Sequence, residues 1–142
     1  MKSLGIAIKK GEVWFSFVEG TDRTVAIIRD AGKQLYRPDS SSLMLDFYNI
    51  FDELITKYTP DVISYKLSLE INIQQIPYMH YSLGVLSLLC LQKGISVIER
   101  SNRWITASKK TKIRLFEQNF PGYNYKDEKL AASVIAWFAL EE

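Results

Sequence analysis

Three short segments of β-type composition precede any helical pattern, and that order narrows the possible folds more than any other feature of the chain. Residues 3–8 (SLGIAI), 12–18 (EVWFSFV) and 24–29 (TVAIIR) are rich in β-branched and aromatic residues. They are separated only by Lys9-Lys10-Gly11 and by Glu19-Gly20-Thr21-Asp22 with Arg23. Connections this short join antiparallel neighbours, because a parallel pair needs a crossover of a dozen residues or more. A three-stranded meander is therefore expected first. The polar stretch from Asp30 to Ser42, with Gly32 and Pro38, reads as a loop. Trp14, Phe15 and Phe17 alternate along the second segment and serve the two faces of the sheet as core.

Beyond that loop the period changes. Leu43, Phe47, Ile50, Phe51, Leu54, Ile55 and Tyr58 form a one-sided stripe at helical spacing, with Ser40, Ser41 or Ser42 as N-cap and Thr59-Pro60-Asp61 as the stop. Residues 62–66 (VISYK) read as a strand, and Pro77 opens a second helix over 78–93 that is apolar on nearly every side. Gly94 ends that helix, residues 95–99 (ISVIE) form the next strand, and a last helix spans 127–140 after the loop at 120–124. Two strand-helix-strand connections extend the meander with parallel strands. The expectation is an α/β fold with a five-stranded mixed sheet, three strands antiparallel and two parallel, covered by helices.

At 142 residues, with 47% hydrophobic and 24% charged residues, the chain has the size and balance of one globular domain over 1–142. No apolar run approaches the roughly 18 residues of a membrane span, and no targeting segment is evident, so a cytoplasmic protein is expected. Cys90 lies within LSLLCL and reads as a buried, inert thiol. His80 is the only histidine and has no second metal-type ligand at a suitable spacing, so it reads as a helix-surface residue. The seven glycines form neither a dinucleotide-binding nor a P-loop motif. No cofactor is called for.

A net charge of +2 is too small for bulk attraction to nucleic acid, so any such binding must be local. The local candidate comprises Arg100, Arg103, Lys109, Lys110, Lys112 and Arg114, with Trp104 among them. Such a mixture grips phosphates and stacks a base. A solvated helix face with snorkelling stems has the same composition.

The element order, together with LGIA in the first strand, PDVISYK in the fourth, GISVIE in the fifth and DEKLAASVIAW in the last helix, resembles the RNase H-like fold. In detail it is similar to the RuvC-type Holliday-junction resolvases. That resemblance implies two magnesium ions held by four carboxylates, because hard cations that activate water and stabilise a leaving oxygen need oxygen ligands. Here the corresponding positions hold Ala7, Lys66, Asp127 and Leu130, so one carboxylate of the four persists.

Two functions follow. One is a catalytically inactive RuvC-like domain that serves as a binding module for a protein partner or, weakly, for nucleic acid. The other is a magnesium-dependent nuclease with its carboxylates moved to Glu70, Asp127 and Glu128. Asp127 is also an ordinary helix-start residue. The resemblance further places Lys66 opposite Asp127, where an ammonium group would stand in for the ion, with Ala7 leaving room for the lysine stem.

Overall fold

The computed structural model describes residues 1–9, 12–34, 42–67 and 76–140, with the side chains of residues 34 and 76–80 outside that description. Its strands are β1 (Lys2–Lys9), β2 (Glu12–Glu19), β3 (Ile27–Gln34), β4 (Val62–Leu67) and β5 (Ser96–Ser101). Its helices are α1 (Leu43–Tyr58), α2 (Ile76–Lys93), α3 (Asn102–Asn119) and α4 (Asp127–Phe138). The sheet runs β3-β2-β1-β4-β5. The first three strands pair antiparallel in sequence, and β4 and β5 add in parallel beside β1, as the two-period pattern predicts.

The third strand starts later than its composition suggests. Asp22 accepts hydrogen bonds from the Thr24 amide and hydroxyl, which closes a 3-10 turn over Arg23–Val25. Thr24 and Val25 are thereby drawn out of the strand, which instead continues through Asp30–Gln34, residues whose polarity reads as a loop. A register shift at Phe17/Val18 accommodates the change.

Helix α1 has the predicted ends and buries the predicted seven-residue stripe. Its cap differs: the Ser42 hydroxyl donates to Asp46 Oδ2 at 2.7 Å rather than accepting a helix amide. Thr59 in the left-handed region (φ 45°) closes the other end by donating its amide to the Ile55 carbonyl. In α2 the residues Val85, Leu86, Leu89 and Cys90 are buried, whereas Leu88 and Leu91 are 54% and 79% exposed, so the helix is covered on one side only. Gly94 follows it at φ +70°, a conformation in which any Cβ is strained.

Helix α3 is an element that the apolar pattern did not reveal. Only Ile105 and Phe116 along its length are buried, and its helical geometry is interrupted from Ala107 to Lys110. Ser108, Lys109 and Lys110 there are all left-handed. The expected turn at Lys10-Gly11, the caps Ser40 and Ser41, Pro38, Glu70 and the side chains of Pro77 and His80 lie outside the described residues.

Strand alternation sends Leu4, Ile6, Ile8, Val13, Phe15, Phe17, Ile63 and Tyr65 to the face covered by α1 and α2. On the opposite face, Val18, Ala26 and Ile28 join α4 with Ile105, Phe116 and Phe120 in a second core. The sheet is thus sandwiched between two helical layers.

Candidate functional site

Cross-strand pairing places Lys33, Trp14, Ala7, Lys66 and Arg100 in one row across all five strands. The next row inward on the same face is Ala31, Ser16, Gly5, Ser64 and Ile98. Small residues in this face let α4 sit unusually close. A Cβ built on Gly5 would meet the Ala132 carbonyl oxygen at 2.0 Å, and the Ser3 hydroxyl donates to the Ala136 carbonyl at 2.7 Å. This approach brings the first turn of α4 over the end of β4.

There Lys66 and Glu128 meet. The Lys66 ammonium donates to both Glu128 carboxylate oxygens, at 2.9 and 3.2 Å, with side-chain exposures of only 10% and 11%. A buried pair of this kind is expected at this place, but its acid is Glu128 rather than Asp127. Asp127 has φ 52° and is exposed. The left-handed turn removes it from the regular helical arc, and the next residue becomes the first to face the sheet. Ala7, adjacent to Lys66 in the ladder, is fully buried and leaves the lysine stem room. Among the described residues, no three His, Cys, Asp or Glu side chains are grouped to hold a metal ion.

Outside this pair lies a cleft of about 760 Å3 at the C-terminal ends of β4 and β5 and the start of α3. Arg103, Lys110, Asn102 and Thr106 line it beside Lys66 and Glu128. Leu130, at the fourth family carboxylate position, also lines this cleft and packs against the α4 core. Clefts beyond the carboxyl ends of parallel strands are the usual ligand sites of such sheets.

Of the basic stretch, Arg103 and Lys110 enter the cleft, while Arg100 and Lys112 lie over the Trp104 ring at 4.3 and 4.5 Å. Phe138 meets the same ring edge-on at 5.7 Å. Trp104 therefore holds two cations rather than presenting an open stacking surface. Lys109 and Arg114 are exposed and line neither this cleft nor the cavity beyond it.

That second cavity, of about 380 Å3, lies under the loop between α3 and α4, lined by Phe120, Pro121, Tyr123, Asn124, Tyr125 and Glu117. Burial, then the neighbouring Tyr123 and Asp30, raises the Tyr125 phenol above its ordinary pKa and keeps it a neutral donor. No sequence motif pointed to this tyrosine pair. Its signal is the aromatic spacing of PGYNY immediately before a helix start.

No family model matches the sequence, and no curated protein matches it. Solved structures do match in fold. RuvC of T. thermophilus in complex with Holliday junction substrate superposes with a TM-score of 0.76 at 11% identity, covering 96% of this chain and 90% of that one. A second Thermus thermophilus RuvC structure gives 0.76 at 12% identity, covering 96% and 92%. The yeast mitochondrial Holliday junction resolvase gives 0.67 at 15% identity, covering 96% and 78%. With the strand order, the mixed pairing and the helical layers described above, these likenesses show that the chain has the RuvC-like RNase H fold.

Proposed function

We propose that this RuvC-like domain binds the phosphate backbone of nucleic acid and does not cleave it by the two-metal route. The observation that carries the reading is the buried Lys66–Glu128 pair at the end of β4. Two-metal phosphodiester cleavage needs oxygen ligands around two cations. The resemblance puts ligands at positions where this chain has the Ala7 methyl, the Lys66 ammonium, the Asp127 carboxylate and the Leu130 side chain, so Asp127 is the one carboxylate of the four, and the adjacent Glu128 is already engaged by Lys66. That donor set does not fit two divalent cations, and no catalytic step is derived through them.

Binding is supported by what surrounds the pair. Arg103 and Lys110 line the cleft with the hydrogen-bonding side chains of Asn102 and Thr106, and Trp104 holds Arg100 and Lys112 nearby. A superposable RuvC is seen with a Holliday junction substrate. Phosphate contacts of this kind fix position and release counterions.

The test is a labelled four-way junction incubated with the protein and magnesium or manganese. Uncut junction, bound with an affinity that falls roughly 100-fold from ~50 to ~200 mM salt for about four phosphate contacts, is the expected result. Cleavage would overturn the reading in favour of a nuclease, and its loss in Asp127→Asn would place that activity at this cleft. No binding at low salt would remove the nucleic-acid function.

A further inference from the structure

We infer that the cavity between α3 and α4 is a slot for one unpaired nucleobase, stacked on Tyr123, so that the domain prefers single-stranded nucleic acid to a paired duplex. This inference rests on the backbone-binding role proposed above and names the chemical class that the same surface selects. Its starting point is the fate of the aromatic residues. Trp104 has Arg100 and Lys112 over its ring and Phe138 against its edge. Phe116 is buried in the α4 core at 1% exposure. Tyr123 differs from both. It is 40% exposed, and its ring neighbours Phe120 and Tyr125 meet it at 87° and 63°, not face to face.

The cavity beside it measures about 380 Å3, within the range of pockets that enclose small ring-bearing ligands. Its chemistry suits a base rather than an aliphatic group. Asn124 offers an amide donor and acceptor, and Glu117 offers an acceptor for an exocyclic amine, the polar groups by which base edges are read. Tyr125 carries the Lys129 ammonium over its ring at 4.4 Å, which fixes a cation next to the slot for the phosphate attached to that base.

Leu130 joins this slot to the basic cleft, since its side chain lines both cavities. A backbone held by Arg103 and Lys110 therefore passes an apolar side chain before reaching the tyrosines. A base in a duplex must unstack and unpair before it can enter such a slot, whereas a single strand offers it freely. That cost is the source of the preference.

The test uses the full chain and fluorescence anisotropy with two probes, an oligothymidylate of about 20 nucleotides and a blunt duplex of the same length, at ~50 mM salt. Tighter binding of the single strand is expected. Tyr123→Ala should weaken the single strand about tenfold and leave the duplex within about twofold, and Tyr123→Phe should keep the single-strand affinity. Thermal unfolding of both variants near the parent temperature shows that the loop change is local. Equal affinity for the two probes, or an unchanged single-strand affinity in Tyr123→Ala, would overturn the slot. If Arg103→Ala with Lys110→Ala then abolishes binding to both probes, the backbone-binding role survives that failure. Binding of neither probe by the parent protein would overturn both.

Discussion

Gly5 of β1 and Ala132 of α4 touch backbone to backbone: a Cβ at Gly5 would lie 2.0 Å from the Ala132 carbonyl oxygen and 2.9 Å from the Ala136 methyl. Neither obstacle is the far end of a flexible side chain, so a single methyl must displace the helix. Gly5→Ala is expected to cost about 3 kcal/mol or more in chemical denaturation, at the upper end of overpacking effects. The same displacement would draw Glu128 away from Lys66. Parent-like stability in Gly5→Ala would show that α4 is not held at this distance.

Lys66 and Glu128 are buried and share two hydrogen bonds, so removing either alone strands a charge. Lys66→Met or Glu128→Gln is expected to cost about 3–5 kcal/mol, with Lys66→Met combined with Glu128→Leu recovering most of the loss. A double-mutant cycle should give a large coupling for this pair and none for Lys66→Met with Asp127→Asn. Coupling to Asp127 instead would reverse the assignment of the acid.

Ser16 and Ser64 flank Gly5 in the ladder, and their hydroxyls are buried with no hydrogen-bond partner among the described residues. Their value to the fold is small volume beneath α4, not polarity. Ser16→Ala and Ser64→Ala are expected to be neutral or stabilising by about 1 kcal/mol, since each removes an unsatisfied polar atom. A loss above that size in urea titrations would mean that the hydroxyls make a bond.

Burial raises the Cys90 thiol from 9.0 to about 11. The unfolded chain releases this proton at lower pH than the folded one, so the contribution is complete below pH 9.0 and is lost as pH rises toward about 11. Removing the thiol with Cys90→Ala should flatten the stability profile in that window. Native protein at pH 8 should resist a thiol reagent that labels it promptly in denaturant. Rapid native labelling would contradict the burial.

The sheet and three of the four helices among the described residues are legible in the sequence because each carries a dense apolar run or stripe between turn residues. In α1 all seven expected residues face the core. Helix α3 escapes for the opposite reason, since two buried residues separated by a left-handed break leave no stripe to detect. The start of β3 is obscured by Asp22, whose hydrogen bonds to Thr24 override β-type composition. At the site, the place and the lysine of the ion pair are legible and the acid is not. The resemblance points to Asp127, whereas the helical spacing of Ala131 and Ile135 also reaches Glu128, and with Asp127 at positive φ it is Glu128 that is buried. Trp104 reads as a stacking residue from composition alone, because cations close in sequence do not disclose that they will cover its ring.

The position of β1 in the middle of the sheet has a consequence for how the chain is made. Its neighbours are β2, which leaves the ribosome directly after it, and β4, whose residues come some sixty positions later, as in the pairing of Ser3 with Val62. The bond from the Ser3 hydroxyl to the Ala136 carbonyl spans 133 residues. During synthesis the meander can form early, but one face of its first strand waits for α4, and closing so long a loop precedes the contacts that reward it. Until then the Ser3, Gly5 and Ala7 side of β1 stays open to other chains, and α4 acts as the latch that ends that interval.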